Sequence, residues 1–74
     1  MDSTSPKDPT VVIDPTAQVT GGTPLGSGTS VGPGVIIEEN VVVGKGCRLA
    51  AYAVLRAGTI LGDRVEVDSF SVIG

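Results

Sequence analysis

The sequence has no histidine, no tryptophan, one cysteine and only two aromatic side chains, Tyr52 and Phe70, in 74 residues. Without histidine there is neither an imidazole general base nor an imidazole metal ligand. One cysteine excludes an intramolecular disulfide and fits a reducing cytoplasm, where we expect the chain to reside. With aromatics nearly absent, the core has to be aliphatic and layered. Basic residues are scarce too, five against eight acidic ones for a net charge of −3. They form no cluster, which argues against nucleic acid as a partner. No apolar run approaches the ~18 residues of a bilayer span, and the start lacks the apolar segment of a signal peptide. The neighbouring carboxylates Glu38–Glu39 and Glu66–Asp68 have no surroundings that suggest a cleft. Gly26-Ser27-Gly28 and Gly32-Pro33-Gly34 could cradle a phosphate only if a helix followed, and none does. We therefore expect no catalytic, cofactor-binding or metal-binding residue.

What the sequence does contain is a six-residue unit that runs without a slip from Ile13. The units read IDPTAQ, VTGGTP, LGSGTS, VGPGVI, IEENVV, VGKGCR, LAAYAV, LRAGTI, LGDRVE and VDSFSV, and a final IG opens the next. The first position is always a large aliphatic, from Ile13, Val19 and Leu25 through to Ile73. The fifth is always small or β-branched, as in Ala17, Thr29, Val41, Cys47 and Ala53. Cys47 thus reads as a small buried residue rather than a reactive thiol. The fourth is rich in residues that tolerate a left-handed backbone, namely Gly22, Gly28, Gly34, Asn40, Gly46 and Gly58. A period of six wanders around a helix, but it suits a short strand and a tight turn, with positions five and one pointing in. Hexads of this kind signal an all-β, parallel β-helix. Residues 1–12 are polar and aperiodic at first and read as a flexible lead-in, with Thr10–Val12 able to start the first coil. Residues 13–74 form the one repeat domain.

Three strands per turn make an 18-residue coil, so residues i and i+18 become vertical neighbours about 4.8 Å apart. The charges agree with that register: Glu38 falls under Arg56, Lys45 under Asp63 and Arg48 under Glu66, each pair opposite in sign. Tyr52 falls under Phe70, and Gly26, Gly44 and Gly62 share a column. The coil is therefore a triangle. Its first face turns Gln18, Ile36, Val54 and Val72 outward, beside Thr20, Glu38 and Arg56. The second carries Pro24, Val42 and Ile60 beside the glycine column, and the third carries Ser30, Arg48 and Glu66. Two faces are apolar on the outside, and exposed apolar patches mark interfaces. We expect Ile36, Val54, Val72, Pro24, Val42 and Ile60 to form the interface of a cyclic homotrimer.

The unit of an aliphatic, a frequent glycine, two free positions, a small or β-branched residue and one more free position resembles the repeat of the hexapeptide acyltransferases. That resemblance implies a left-handed β-helix, against the usual right-handed crossover. The segments IDPTA, VGPGVIIEENVVVGKGC and VDSFSVIG are similar to the N-terminal coils of one branch of this family. Its enzymes transfer a hydroxyacyl chain from acyl carrier protein to the 3-hydroxyl of UDP-N-acetylglucosamine, in lipid A biosynthesis. The likeness extends from Ile13 to Gly74. Those enzymes use a histidine general base, which this chain lacks. The resemblance therefore implies a short triangular β-helix fragment that serves as scaffold and trimerisation segment and is catalytically silent. Acyl carrier protein and UDP-N-acetylglucosamine would be partners of the full-length enzyme only. A stand-alone module that assembles with itself, with coils added end to end, is the alternative reading.

Overall fold

The computed structural model describes residues 10–21 and 23–74. Most of the expected lead-in (residues 1–9) and the turn residue Gly22 lie outside the described residues. Among the described residues, ten two-residue strands follow the hexad phase: Val12–Ile13 (β1), Gln18–Val19 (β2), Ser30–Val31 (β3), Ile36–Ile37 (β4), Val42–Val43 (β5), Arg48–Leu49 (β6), Val54–Leu55 (β7), Ile60–Leu61 (β8), Glu66–Val67 (β9) and Val72–Ile73 (β10). They stack into three parallel sheets, ordered β1-β3-β6-β9, β2-β4-β7-β10 and β5-β8. A bridge from Leu25 to Val43 extends the third. Every pairing joins residues 18 apart, such as Ile36 with Val54 and Arg48 with Glu66. The chain is thus an all-β solenoid of about three turns with 18 residues per coil. Among the described residues, no helix is long and apolar enough to cross a membrane.

The core is what the hexad dictates. First-position Val31, Ile37, Val43, Leu49, Leu55, Leu61 and Val67 are buried, with fifth-position Val35, Val41, Cys47 and Ala53 between them. Val11, ahead of the first full hexad, is buried as well, and Val12 pairs with Ser30. The first coil thus takes in the last residues of the stretch read as lead-in. Thr29 and Cys47 are the polar side chains among the buried inward positions, and both bond the backbone of the coil above. Thr29 donates its hydroxyl to Gly44 O at 2.9 Å, and the Cys47 thiol donates to Gly62 O at 3.1 Å. A thiol enclosed in this way has no path to a reagent. Native protein is therefore expected to leave Cys47 unlabelled by a maleimide, with full labelling in denaturant. Rapid labelling of the native chain would contradict the packing.

Backbone dihedrals at the corners depart from the sequence expectation in an informative way. Every fourth position from Gly28 to Phe70 has positive φ, including Tyr52 at 62°, Arg64 at 57° and Phe70 at 62°. Nothing in those three residue types announces a left-handed backbone, which costs an L-residue about 1 kcal/mol. Coil stacking imposes it, because the fourth-position N–H donates to the third-position carbonyl one coil below. Tyr52 N reaches Pro33 O at 2.9 Å, Arg64 N reaches Lys45 O at 2.6 Å and Phe70 N reaches Ala51 O at 3.1 Å. In the first coil, hydroxyls take the place of those carbonyls: Gly28 N donates to Thr10 Oγ1 and Gly34 N to Thr16 Oγ1. Thr16 is itself held by Asp14, whose carboxylate accepts from the Thr16 hydroxyl at 2.6 Å and its N–H at 2.8 Å. Those two bonds hold the Asp14 carboxyl below its ordinary pKa.

The charge columns stand in the expected register, but the carboxylates bond backbone. Asp63 Oδ1 accepts from Lys45 N and Glu38 Oε1 from Ala57 N, each at 2.9 Å. A corner N–H left open by a turn is a fixed donor, whereas a lysine or arginine head in water is mobile and well solvated. The opposite signs therefore report the register while the amides supply the bonds.

Candidate functional site

Functional side chains on a solenoid have to come from its outward positions or its corners. Sixth-position residues point away from the core because successive strand residues alternate. On the first face this stacks Ile36, Val54 and Val72 on adjacent strands β4, β7 and β10. Ile36 is 37% exposed and Val72 62%, with Val54 half-buried between its neighbours. On the second face Val42 and Ile60 are paired across β5 and β8, 41% and 75% exposed. Pro24 continues that column, its carbonyl accepting from Val43 N. The structure therefore gathers the six expected interface residues into two separate apolar columns, one to a face. The third face carries Ser30, Arg48 and Glu66, as expected, but begins with an exposed valine, Val12.

Besides Val12, two exposed apolar groups fall outside the six expected residues. Tyr52 and Phe70 lie on the corner between the third and first faces, 55% and 76% exposed. Their rings are stacked with centroids 5.4 Å apart and planes 7° from parallel. The lower ring lies across bare Gly34, where an added Cβ would collide with Tyr52 Cδ1 and Cε1. The i+18 spacing placed the two rings together. Their outward projection follows from the left-handed corner, which the sequence did not announce for these residues.

Groups able to do chemistry do not converge. Among the described residues no three of His, Cys, Asp or Glu lie close enough to hold a metal ion. Two shallow depressions border the first face, one over Gln18, Ile36 and Glu38 and the other over Thr20, Glu38, Glu39 and Ala57. The Glu38 carboxylate they share is already bonded to Ala57 N. Glu66 and Asp68 are exposed, and Cys47 is enclosed. The surface features that remain are apolar columns and an aromatic corner, which suit association rather than catalysis.

A family model described as Bacterial transferase hexapeptide (six repeats) matches residues 23–57 and again 40–74. Together the two matches span residues 23–74, well over half of the chain. No curated protein and no solved structure gives a significant match.

Proposed function

Because the chain belongs to the bacterial transferase hexapeptide family, we propose that it serves as the coil scaffold and homotrimerisation segment of an acyltransferase. The observation that carries this reading is the outward apolar column Ile36–Val54–Val72 that fills one face, with a shorter one, Val42–Ile60, on another. Each apolar Å² taken from water contributes roughly 25 cal/mol, and a prism of three turns has little core of its own. Association with copies of itself is the direct way to cover the longer column. Within the family, the segments IDPTA, VGPGVIIEENVVVGKGC and VDSFSVIG favour the branch of UDP-N-acetylglucosamine acyltransferase, acting in lipid A biosynthesis with acyl carrier protein as donor. In that reading this chain supplies no catalytic group, since it offers no histidine to take the proton from the sugar hydroxyl.

Light scattering over a concentration series tests the proposal. The expected mass is three times the 7.4 kDa of one chain, constant over the series. A monomer at every concentration would sink the reading. In parallel, acyl transfer from an acyl carrier protein donor to UDP-N-acetylglucosamine should stay at background, and turnover by the purified chain would overturn the scaffold role.

A further inference from the structure

Taking the trimer reading as its basis, we infer that copies meet corner into face. The stacked Tyr52–Phe70 corner of one protomer enters the Ile36–Val54–Val72 column of the next. Symmetry limits the ways in which copies can meet. Each side of the coil spans six residues, so the cross-section is an equal-sided triangle. Turning such a prism by a third of a circle about a parallel axis carries its three face normals onto one another. Two flat faces can meet only when their normals oppose, and no pair then does. A corner can meet a face squarely, and the contact closes into a ring because each copy gives one corner and receives another.

Charge then selects the corner and the face. Under a threefold rotation a corner is directed at one of the two faces that border it, never at the face opposite. Two of the three corners are charged: one holds Glu39 and the other holds Lys45, Asp63 and Arg64. Burying those against valines and isoleucines would strip water from charges with no partner to receive them. The remaining corner holds Pro33–Gly34, Ala51–Tyr52 and Ser69–Phe70 and bears no charge. It borders the first and third faces. The third carries Arg48 and Glu66 within its outward column, while the column of the first is Ile36, Val54 and Val72, with exposed Glu38 and Arg56 beside it. Only the pairing of aromatic corner with first face sets the uncharged corner against an unbroken apolar column. Corner and face are also contiguous on one protomer, so they form one continuous patch.

The composition of that corner points the same way, independently of symmetry. Left-handed backbone recurs at every corner, at Arg64 as at Tyr52 and Phe70, so what distinguishes this corner is the pair of rings it projects. Aromatic side chains are also the common anchors of protein interfaces. The contact leaves the Val42–Ile60 column outside the ring.

The experiment compares two variants with the unaltered chain. Phe70→Gly removes the outer ring and relieves the left-handed backbone, so the protomer keeps its coil. Its trimer dissociation constant should rise by about thirtyfold, as for loss of an aromatic anchor. The double variant Val42→Lys, Ile60→Lys should stay trimeric. The reverse pattern, with Phe70→Gly trimeric and the lysine variant dissociated, overturns the corner contact and leaves the trimer standing. A measurement on the unaltered chain guards against a misfolded variant. With no tryptophan present, emission comes from Tyr52 alone, and its quenching by acrylamide should fall several-fold as protomers associate on concentration. Quenching that is unchanged across that transition overturns the inference. An unaltered chain that is monomeric throughout removes the trimer itself.

Discussion

Gly44→Ala is expected to destabilise the chain by about 3 kcal/mol, the upper end for forcing extra volume into a packed site. The added Cβ would sit 2.6 Å from the carbonyl carbon and oxygen of Gly62 and 2.6 Å from Asp63 Oδ1. The two Gly62 atoms are backbone of the next coil, and the carboxylate oxygen is held by its bond to Lys45 N. None can swing aside as a long side chain would. The only relief is to push apart coils that Gly44 N and Leu61 O tie together at 3.0 Å. Gly62, one coil further along the same column, is the control. No atom lies within 4 Å of a Cβ placed there, and its φ is not left-handed. Gly62→Ala should therefore be neutral or stabilising by up to about 1 kcal/mol through the less flexible unfolded chain. Urea midpoints for both variants decide the matter. Equal midpoints would show that the column is glycine for reasons other than coil contact.

That column illustrates what could be read from the sequence and what could not. The period of six, the inward first and fifth positions and the 18-residue coil were all visible, because each rests on a choice repeated ten times. Repetition turns weak local preferences into a clear pattern, and each coil meets only its neighbours, so local and global structure say the same thing. Charge agreement at Glu38–Arg56, Lys45–Asp63 and Arg48–Glu66 gave the register. It gave no hint that Asp63 and Glu38 spend their carboxylates on backbone N–H groups, since those donors appear only once the corners are built. Tyr52, Arg64 and Phe70 escaped notice as left-handed residues for a similar reason. Their own preferences oppose the conformation, and hydrogen bonds from the coil below override them. Val12 was missed through phase alone: it occupies the sixth position of the unit before Ile13. The six apolar outward residues were legible from alternation, but their division between two faces that cannot meet flat in a threefold ring requires the triangular section.

Leu55→Ala should cost about 3–4 kcal/mol, within the range measured for burying and then deleting a leucine side chain. Leu55 is fully buried, its strand paired with Ile37 on one side and Ile73 on the other. Its carbonyl accepts from Glu38 N at 2.9 Å. Cavity cost depends on how far the surroundings can collapse, and here they can move little. Backbone hydrogen bonds fix the spacing of the coils on every side of the triangle, so a neighbouring leucine cannot drop into the gap without breaking several. A chain of this size has a total stability of only roughly 4–11 kcal/mol, so the loss is a large share. The neighbouring outward residue gives the comparison, since Val54→Ala removes methyl groups from a half-buried surface and should cost the isolated protomer under about 1 kcal/mol. The form of the transition carries more information than its midpoint. Each coil is stabilised through its interfaces with adjacent coils, so a void at Leu55 weakens the coupling between the second, third and fourth turns. Far-ultraviolet circular dichroism reports all coils, whereas Tyr52 emission reports the third. The two urea curves should coincide in the unaltered chain and separate in Leu55→Ala, with Tyr52 changing first. Coincident curves in the variant would mean that the solenoid still unfolds as one cooperative unit, and that the cavity weakens it as a whole rather than at one coil interface.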